Sequence, residues 1–230
     1  MVNRSLSRGL GSIGVAAALL AGCSSASTTT TSTISTSSTT AVTTTSTPAP
    51  ANVIWPYGAS TMRFTDPVVA ARSFAIEFLH MISPTIGSFT SAGPLDGTVE
   101  VQVPSSSAVT TIQEHRDPSG STWWITGATT PNLVVTLPRP LDHVGSPLTV
   151  SGQSTAFEAV INLQVLQDGS LKAIGTGTAK GGSMGTMGPF TTSLSFPAPG
   201  SGGGALVIVT ISPKDGTVAE ATVVPLSFGP

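Results

Sequence analysis

Two side chains in this sequence have the chemistry of a nucleophile. Cys23 is the only cysteine among 230 residues, and its thiolate is a form that attacks carbon or takes up a group. Ser183 sits in Gly181-Gly182-Ser183-Met184-Gly185, literally G-x-S-x-G. In hydrolases that motif is a sharp strand-to-helix turn that exposes the serine beside a base. A base would have to come from His80, His115 or His143. These fall in different predicted elements, no pair has H-x-x-x-H spacing, and no second cysteine exists, so zinc is not expected. Asp66, Asp142, Asp168 and Asp215 stand beside Gly or Pro or at caps and turns, where local hydrogen bonding accounts for them. No D-x-D-x-D-G run offers converging oxygens for calcium. Gly188-Pro189 and a strand pattern follow Gly185, which leaves no helix to complete a nucleophile turn. Ser183 is therefore expected in a surface loop. No catalytic residue, metal site or cofactor is expected, and the chain is read as non-enzymatic.

The elements around Cys23 give it a different role. Arg4 and Arg8 precede an apolar stretch from about Leu10 to Leu20, which closes on Leu20-Ala21-Gly22-Cys23. A basic start, a short apolar run and small residues at the end make a secretory signal. The stretch is too short for a membrane span and is broken by Gly11, Ser12 and Gly14. The cysteine directly after Ala21-Gly22 resembles the bacterial lipoprotein signal. That resemblance implies a diacylglyceryl group on the Cys23 thiol, cleavage between Gly22 and Cys23, and a fatty acyl group such as palmitate on the new amine. Several chains are needed, since one acyl chain holds only marginally. The expected location is extracytoplasmic, lipid-anchored to the cell membrane through Cys23. A lipidated Cys23 leaves no disulfide, so the exported part must rest on apolar packing.

Composition excludes one class of partner. Charged residues are 9% of the chain, against a usual quarter or so. Removing the signal takes away Arg4 and Arg8, leaving seven basic and eleven acidic side chains, net −4. No basic patch exists, and nucleic acid is not expected as a partner.

Four segments follow from the pattern: signal peptide 1–22, linker 23–52, a small α+β domain 53–130 and a β-sandwich 131–230. Residues 24–47 are almost all Ser and Thr, then come Pro48 and Pro50. Such a segment cannot bury enough apolar surface to fold and is expected as a disordered tether. In 53–130, Asp66-Pro67 opens a helix: Asp caps free N–H groups and Pro suits the first position. Ala71, Ala75, Phe78 and Ile82, with Phe74 and Leu79, make its buried face. Ser83-Pro84 ends it. Val99, Val101 and Val103 alternate as a strand. Val109–Arg116 and Thr122–Ala128 flank an Asp117-Pro118-Ser119-Gly120 turn. Trp123 and Trp124 point to opposite faces, one into the core and the other exposed or covered near Trp55 and Tyr57.

In 131–230 the expected strands are Leu133–Leu137, Leu148–Gly152, Ala156–Gln167, Leu171–Ala179, Phe190–Phe196, Leu206–Ser212 and Val218–Leu226. Asp168-Gly169 is read as a tight hairpin and Lys214-Asp215-Gly216 as a turn. Seven short strands in under 100 residues suggest a β-sandwich. Ser146-Pro147-Leu148-Thr149-Val150-Ser151-Gly152 followed by Phe157-Glu158-Ala159 resembles the opening of the bacterial spore germination immunoglobulin-like domain. Gly188-Pro189-Phe190, Leu194, Phe196, Lys214-Asp215-Gly216 and Val224-Pro225 are similar to its middle and end. The resemblance implies an immunoglobulin-like accessory module and supplies no catalytic residues. Residues 180–188 form a Gly/Met-rich insertion. With no Cys or Trp in this unit, Phe157, Phe190, Phe196 and Phe228 are expected in its core.

The fold class expected is thus mainly β: an immunoglobulin-like sandwich preceded by one helix on an antiparallel meander. The expected function is a binding or scaffolding module of the cell envelope, with a protein or wall polymer as partner. Two alternatives stand beside it. One is a cell-wall hydrolase with a site at the domain junction. The other is a small apolar ligand carrier using the α+β unit.

Overall fold

The computed structural model describes residues 52–58, 60–118 and 122–229. The signal, the cleavage site Gly22-Cys23 and nearly all of the tether lie outside the described residues. Among these residues one α-helix, α1 (Pro67–Ser73), is followed by thirteen strands. In chain order these are β1 (Thr85–Ser91), β2 (Asp96–Gln102), β3 (Thr110–Arg116), β4 (Trp123–Thr129), β5 (Leu133–Leu137), β6 (His143–Val144) and β7 (Leu148–Ala156). Then come β8 (Val160–Gln167), β9 (Ala173–Lys180), β10 (Gly182–Ser183), β11 (Gly188–Leu194), β12 (Gly202–Ile211) and β13 (Val218–Phe228). The described chain is mainly β, and its strands pair antiparallel except where β6 joins β13 and β10 joins β7.

Asp66 caps α1 as the sequence predicts: its Oδ1 accepts from the N–H groups of Val68 and Val69 at 2.8 and 3.2 Å. The helix then widens into a π turn, Phe74–Phe78, in which Leu79 N–H reaches back five residues to the Phe74 carbonyl. Phe74 and Phe78 stack at 4.8 Å. Ala71, Phe74, Ala75, Phe78 and Leu79 are buried as expected. Ile82 is not: it is 59% exposed, and Met81 takes the inward place. The chain leaves the helix at Leu79, and His80 (φ 56°) and Ser83 (φ 48°) turn it through left-handed conformations. The helix stops short of the expected Ser83-Pro84 end, and Pro84 leads into β1, a strand that the sequence pattern did not mark.

The long sheet runs β1-β2-β3-β4-β13-β12-β8-β9, with β6 added to β13 in parallel. A smaller sheet has β7 at its centre, paired with β11 and β5 and, at one end, with the short β10. The sequence boundary at residue 130 is not a break in packing, because strands from both sides of it share the long sheet. The reason is in β12 and β13. Gly204–Thr210 and Ala219–Leu226 are buried at every position, the mark of strands covered on both faces. Leu206, Ile208, Val224 and Leu226 join Val150, Phe190 and Phe196 in the sandwich core. Ala205, Val207, Val209, Ala221 and Val223 belong instead to the core that contains Phe74, Phe78, Val99 and Ile112.

Two further differences arise in the second half. Phe190, Phe196 and Phe228 are buried, but Phe157 is 55% exposed. It lies in a 3-10 corner, Phe157–Ala159, between β7 and β8. Glu158 (φ 53°) and Ala159 (φ 62°) are left-handed there, and the corner holds the ring at the surface. The Asp168-Gly169 connection is longer than a tight hairpin: β8 ends at Gln167 and β9 begins at Ala173. Ser170 N–H closes a turn on the Gln167 carbonyl with Gly169 at φ 82°, and Asp168 N–H donates to the Gly203 carbonyl. The Lys214-Asp215-Gly216 turn is as expected, with Gly216 at φ 72° and Thr217 bonded to the Asp215 carboxylate.

Candidate functional site

At one end of the sandwich the β2–β3 connection, the β7–β8 corner, the β10–β11 turn and the end of β12 meet around a cavity of about 310 Å³. Its wall includes Glu220, the third residue of β13 and only 4% exposed. A carboxylate removed from water costs several kcal/mol unless it is bonded. Three side chains meet that cost. Thr130 Oγ1 donates to Oε2. Asn132 Nδ2 reaches both oxygens at 3.1 and 3.3 Å. Thr210 Oγ1 donates to Oε1 at 3.2 Å from the paired position on β12. Glu220 thereby ties the β4–β5 connection to the two central strands. It also fixes Asn132, whose Nδ2 faces the carboxylate, so that its Oδ1 lies on the other side of the amide.

The rim of this cavity is apolar and outward-facing. Phe157 lines it from the corner and Met184, 88% exposed, from the Gly/Met-rich turn. That turn closes by a bond from Thr186 N–H to the Ser183 carbonyl, 2.9 Å. Its central residues Met184 (φ 55°) and Gly185 (φ 80°) are both left-handed, the conformation of a type I′ turn. Ser183 itself belongs to β10 and no helix follows it. Among the described residues Glu220 is the only carboxylate lining the cavity, and no histidine or lysine lines it.

A second depression, a groove of about 490 Å³, opens between β4, β5 and β13. Its origin is the sheet itself. β4 and β13 meet at one pair, Ala128–Val223, and diverge on either side. Gly127, Val134, Arg139 and Pro225 line the opening.

The histidines are dispersed. His80 is exposed after the helix, His115 Nδ1 contacts Asp96 Oδ1 at 2.7 Å on neighbouring strands, and His143 is exposed on β6. Among the described residues no group of three His, Cys, Asp or Glu could hold a metal. Of the tryptophans, Trp124 is buried and carries the Arg63 guanidinium 5.3 Å from its ring. Trp123 is half-buried against Phe89 at 4.9 Å. Neither is the exposed contact the sequence allowed for.

Sequence reasoning missed two carboxylates. Glu220 was legible only as a charge inside the apolar run Val218–Phe228. Glu114 on β3 is 1% exposed, and neither oxygen has a hydrogen-bond partner. Burial first, and then the charge of Asp66, push its carboxyl up to about 8. It faces the same side of β3 as the core residue Ile112 and follows a bulge in the pairing with β4.

Comparison with known proteins bears on the second half. Neither the curated proteins nor the solved structures gave a match. Residues 132–217 match the family model described as the immunoglobulin-like domain of bacterial spore germination. The matched stretch supplies Asn132, Phe157, Met184 and Thr210 of the cavity, whereas Glu220, its partner Thr130 and the 105–108 segment come from outside that stretch. Over residues 132–217 the chain thus carries an immunoglobulin-like domain of the bacterial spore germination family.

Proposed function

We propose that the chain is a lipid-anchored, extracytoplasmic, non-enzymatic binding or scaffolding module of the cell envelope. The lipid on Cys23 and the Ser/Thr-rich tether set its place at the membrane, and the folded part engages a protein or wall polymer. The observation that carries this reading is the loop end of the sandwich. Phe157 and Met184 stand exposed around a polar cavity, on a frame whose central strands are packed on both faces. Exposed apolar side chains around a recess are the mark of a contact surface.

The hydrolase alternative needs an acid–base pair, and the cavity offers one carboxylate already bonded to three donors. A fluorophosphonate probe is expected to leave Ser183 unlabelled in the folded protein, read by mass spectrometry of the 180–188 peptide. Labelling that disappears on unfolding would restore the hydrolase reading. The ligand-carrier alternative needs space under α1, which Phe74, Phe78 and Met81 fill.

The anchor is tested in the cell. Cys23→Ala is expected to move the protein from the membrane fraction to the medium, or to leave the signal uncut. Normal processing with retention in the membrane would remove the anchor from the proposal. Binding is tested by immobilising residues 24–230 and passing envelope extract over wild type and the Phe157→Ala, Met184→Ala double variant. Loss of a retained component in the variant is the expected result, and retention of nothing by wild type would overturn the module reading.

A further inference from the structure

We propose that the loop-end cavity is a subsite for a neutral saccharide unit. The proposal rests on the binding-module reading and names the chemistry of its ligand. Three features of the cavity select that class. Its size, about 310 Å³, lies at the lower end of small-ligand sites and fits one or two sugar rings. Its polar groups are hydroxyls and an amide: Ser107 and Thr155 line it together with Ser105 and Ser212, which bond to the Asp215 carboxylate, and Asn132 and Thr210, which bond to Glu220. Such groups both donate and accept, as a polyol ligand requires. Its aromatic group, Phe157, stands at the rim and is 55% exposed. A pyranose presents an apolar C–H face that packs on an aromatic ring while its hydroxyls reach polar groups at the side.

Charge narrows the choice further. Among the described residues no lysine or arginine lines the cavity, so a phosphate, a sulfate or a carboxylate would meet no counter-charge from them. A cation is not favoured either. Glu220 is 4% exposed and receives bonds from Thr130, Asn132 and Thr210, which use its oxygens inside the fold. Glu220 is thus a positioning residue: it orients Asn132 and Thr210 and does not itself need to meet the ligand. The ligand left by these constraints is uncharged, rich in hydroxyls and apolar on one face.

The test uses isotope-labelled residues 24–230 and neutral tetrasaccharides of N-acetylglucosamine, glucose, mannose and arabinose, added to about 10 mM, a range that detects weak binding. At least one is expected to shift the amide signals of Asn132, Phe157 and Thr210 in a saturable way. Phe157→Ala is expected to weaken that binding about tenfold or more, equal to about 1.4 kcal/mol, while Phe157→Trp keeps it. Phe157 is exposed, so both variants are expected to keep the wild-type unfolding midpoint. The proposal falls if none of the four sugars shifts these signals. It also falls if the shifts centre on the Val134 groove, or if Phe157→Ala binds as wild type does. Envelope capture by the same protein separates the two readings. A component retained through Phe157 with no saccharide binding leaves the module standing and removes the sugar; no retention removes both.

Discussion

Glu114→Gln is expected to stabilise the protein by about 3 kcal/mol at neutral pH and to leave its stability in acid unchanged. The carboxyl is buried without a partner, and burial with the nearby Asp66 charge raises it from the ordinary 4.5 to about 8. Below pH 4.5 it is protonated in both folded and unfolded chains and contributes no pH dependence. Between 4.5 and 8 the folded chain keeps a proton that the unfolded chain has lost. Stability therefore falls as pH rises through that window and levels off above 8. Each unit is about 1.4 kcal/mol, which gives about 3 kcal/mol by pH 7. Glutamine has the shape of the protonated acid and never ionises, so its profile should be flat where the wild type declines. At 2–4 °C per kcal/mol for a protein of this size, the melting temperature at pH 7 should rise by roughly 6–12 °C. Urea unfolding at pH 4, 6 and 8 gives the comparison. Parallel profiles for wild type and variant would mean that Glu114 has a partner in solution or reaches water.

Much of the strand pattern was legible because it is local. Leu133–Leu137 is a strand at the limits its alternation and flanking turns predict. The apolar runs of β12 and β13 stand out just as clearly. What such a run hides is the identity of its two covers. A strand buried on both faces has no alternation to say which residues face which layer, so the sharing of Val207 and Val223 with the helix core was not readable. Phe157 was misplaced for a related reason. Its corner depends on left-handed Glu158 and Ala159, and neither is the glycine that usually announces such a turn. The Glu220 site joins Thr130 and Asn132 to a residue about ninety positions away. No spacing rule within one element reaches that far. Turn chemistry, in contrast, was sound at Asp66 and Asp215, where the bonds stay within a few residues.

The helix end gives the sharpest contrast between pattern and structure, and a pair of substitutions measures it. Phe74→Ala is expected to cost about 3–5 kcal/mol, and Ile82→Ala less than about 0.5 kcal/mol. Both positions carry large apolar side chains, and both fall near the face marked by Ala71, Ala75 and Phe78. A uniform α-helix of 3.6 residues per turn would bury Ile82 along with Phe78. The π turn at Phe74–Phe78 takes up an extra residue, so the apolar stripe loses its phase. The chain leaves the helix at Leu79 and turns at His80, and Met81 drops into the core in place of Ile82. Phe74 has no exposed surface and stacks on Phe78. Truncating it opens a void in the core that also holds Val99 and Ile112, and a close-packed interior can fill such a void only in part. Ile82 already faces water, so truncation there removes little buried area. Chemical unfolding of the two variants at pH 6 should separate their midpoints widely. Equal losses would mean that the helix continues to Ser83 in solution and that Ile82 is part of its buried face.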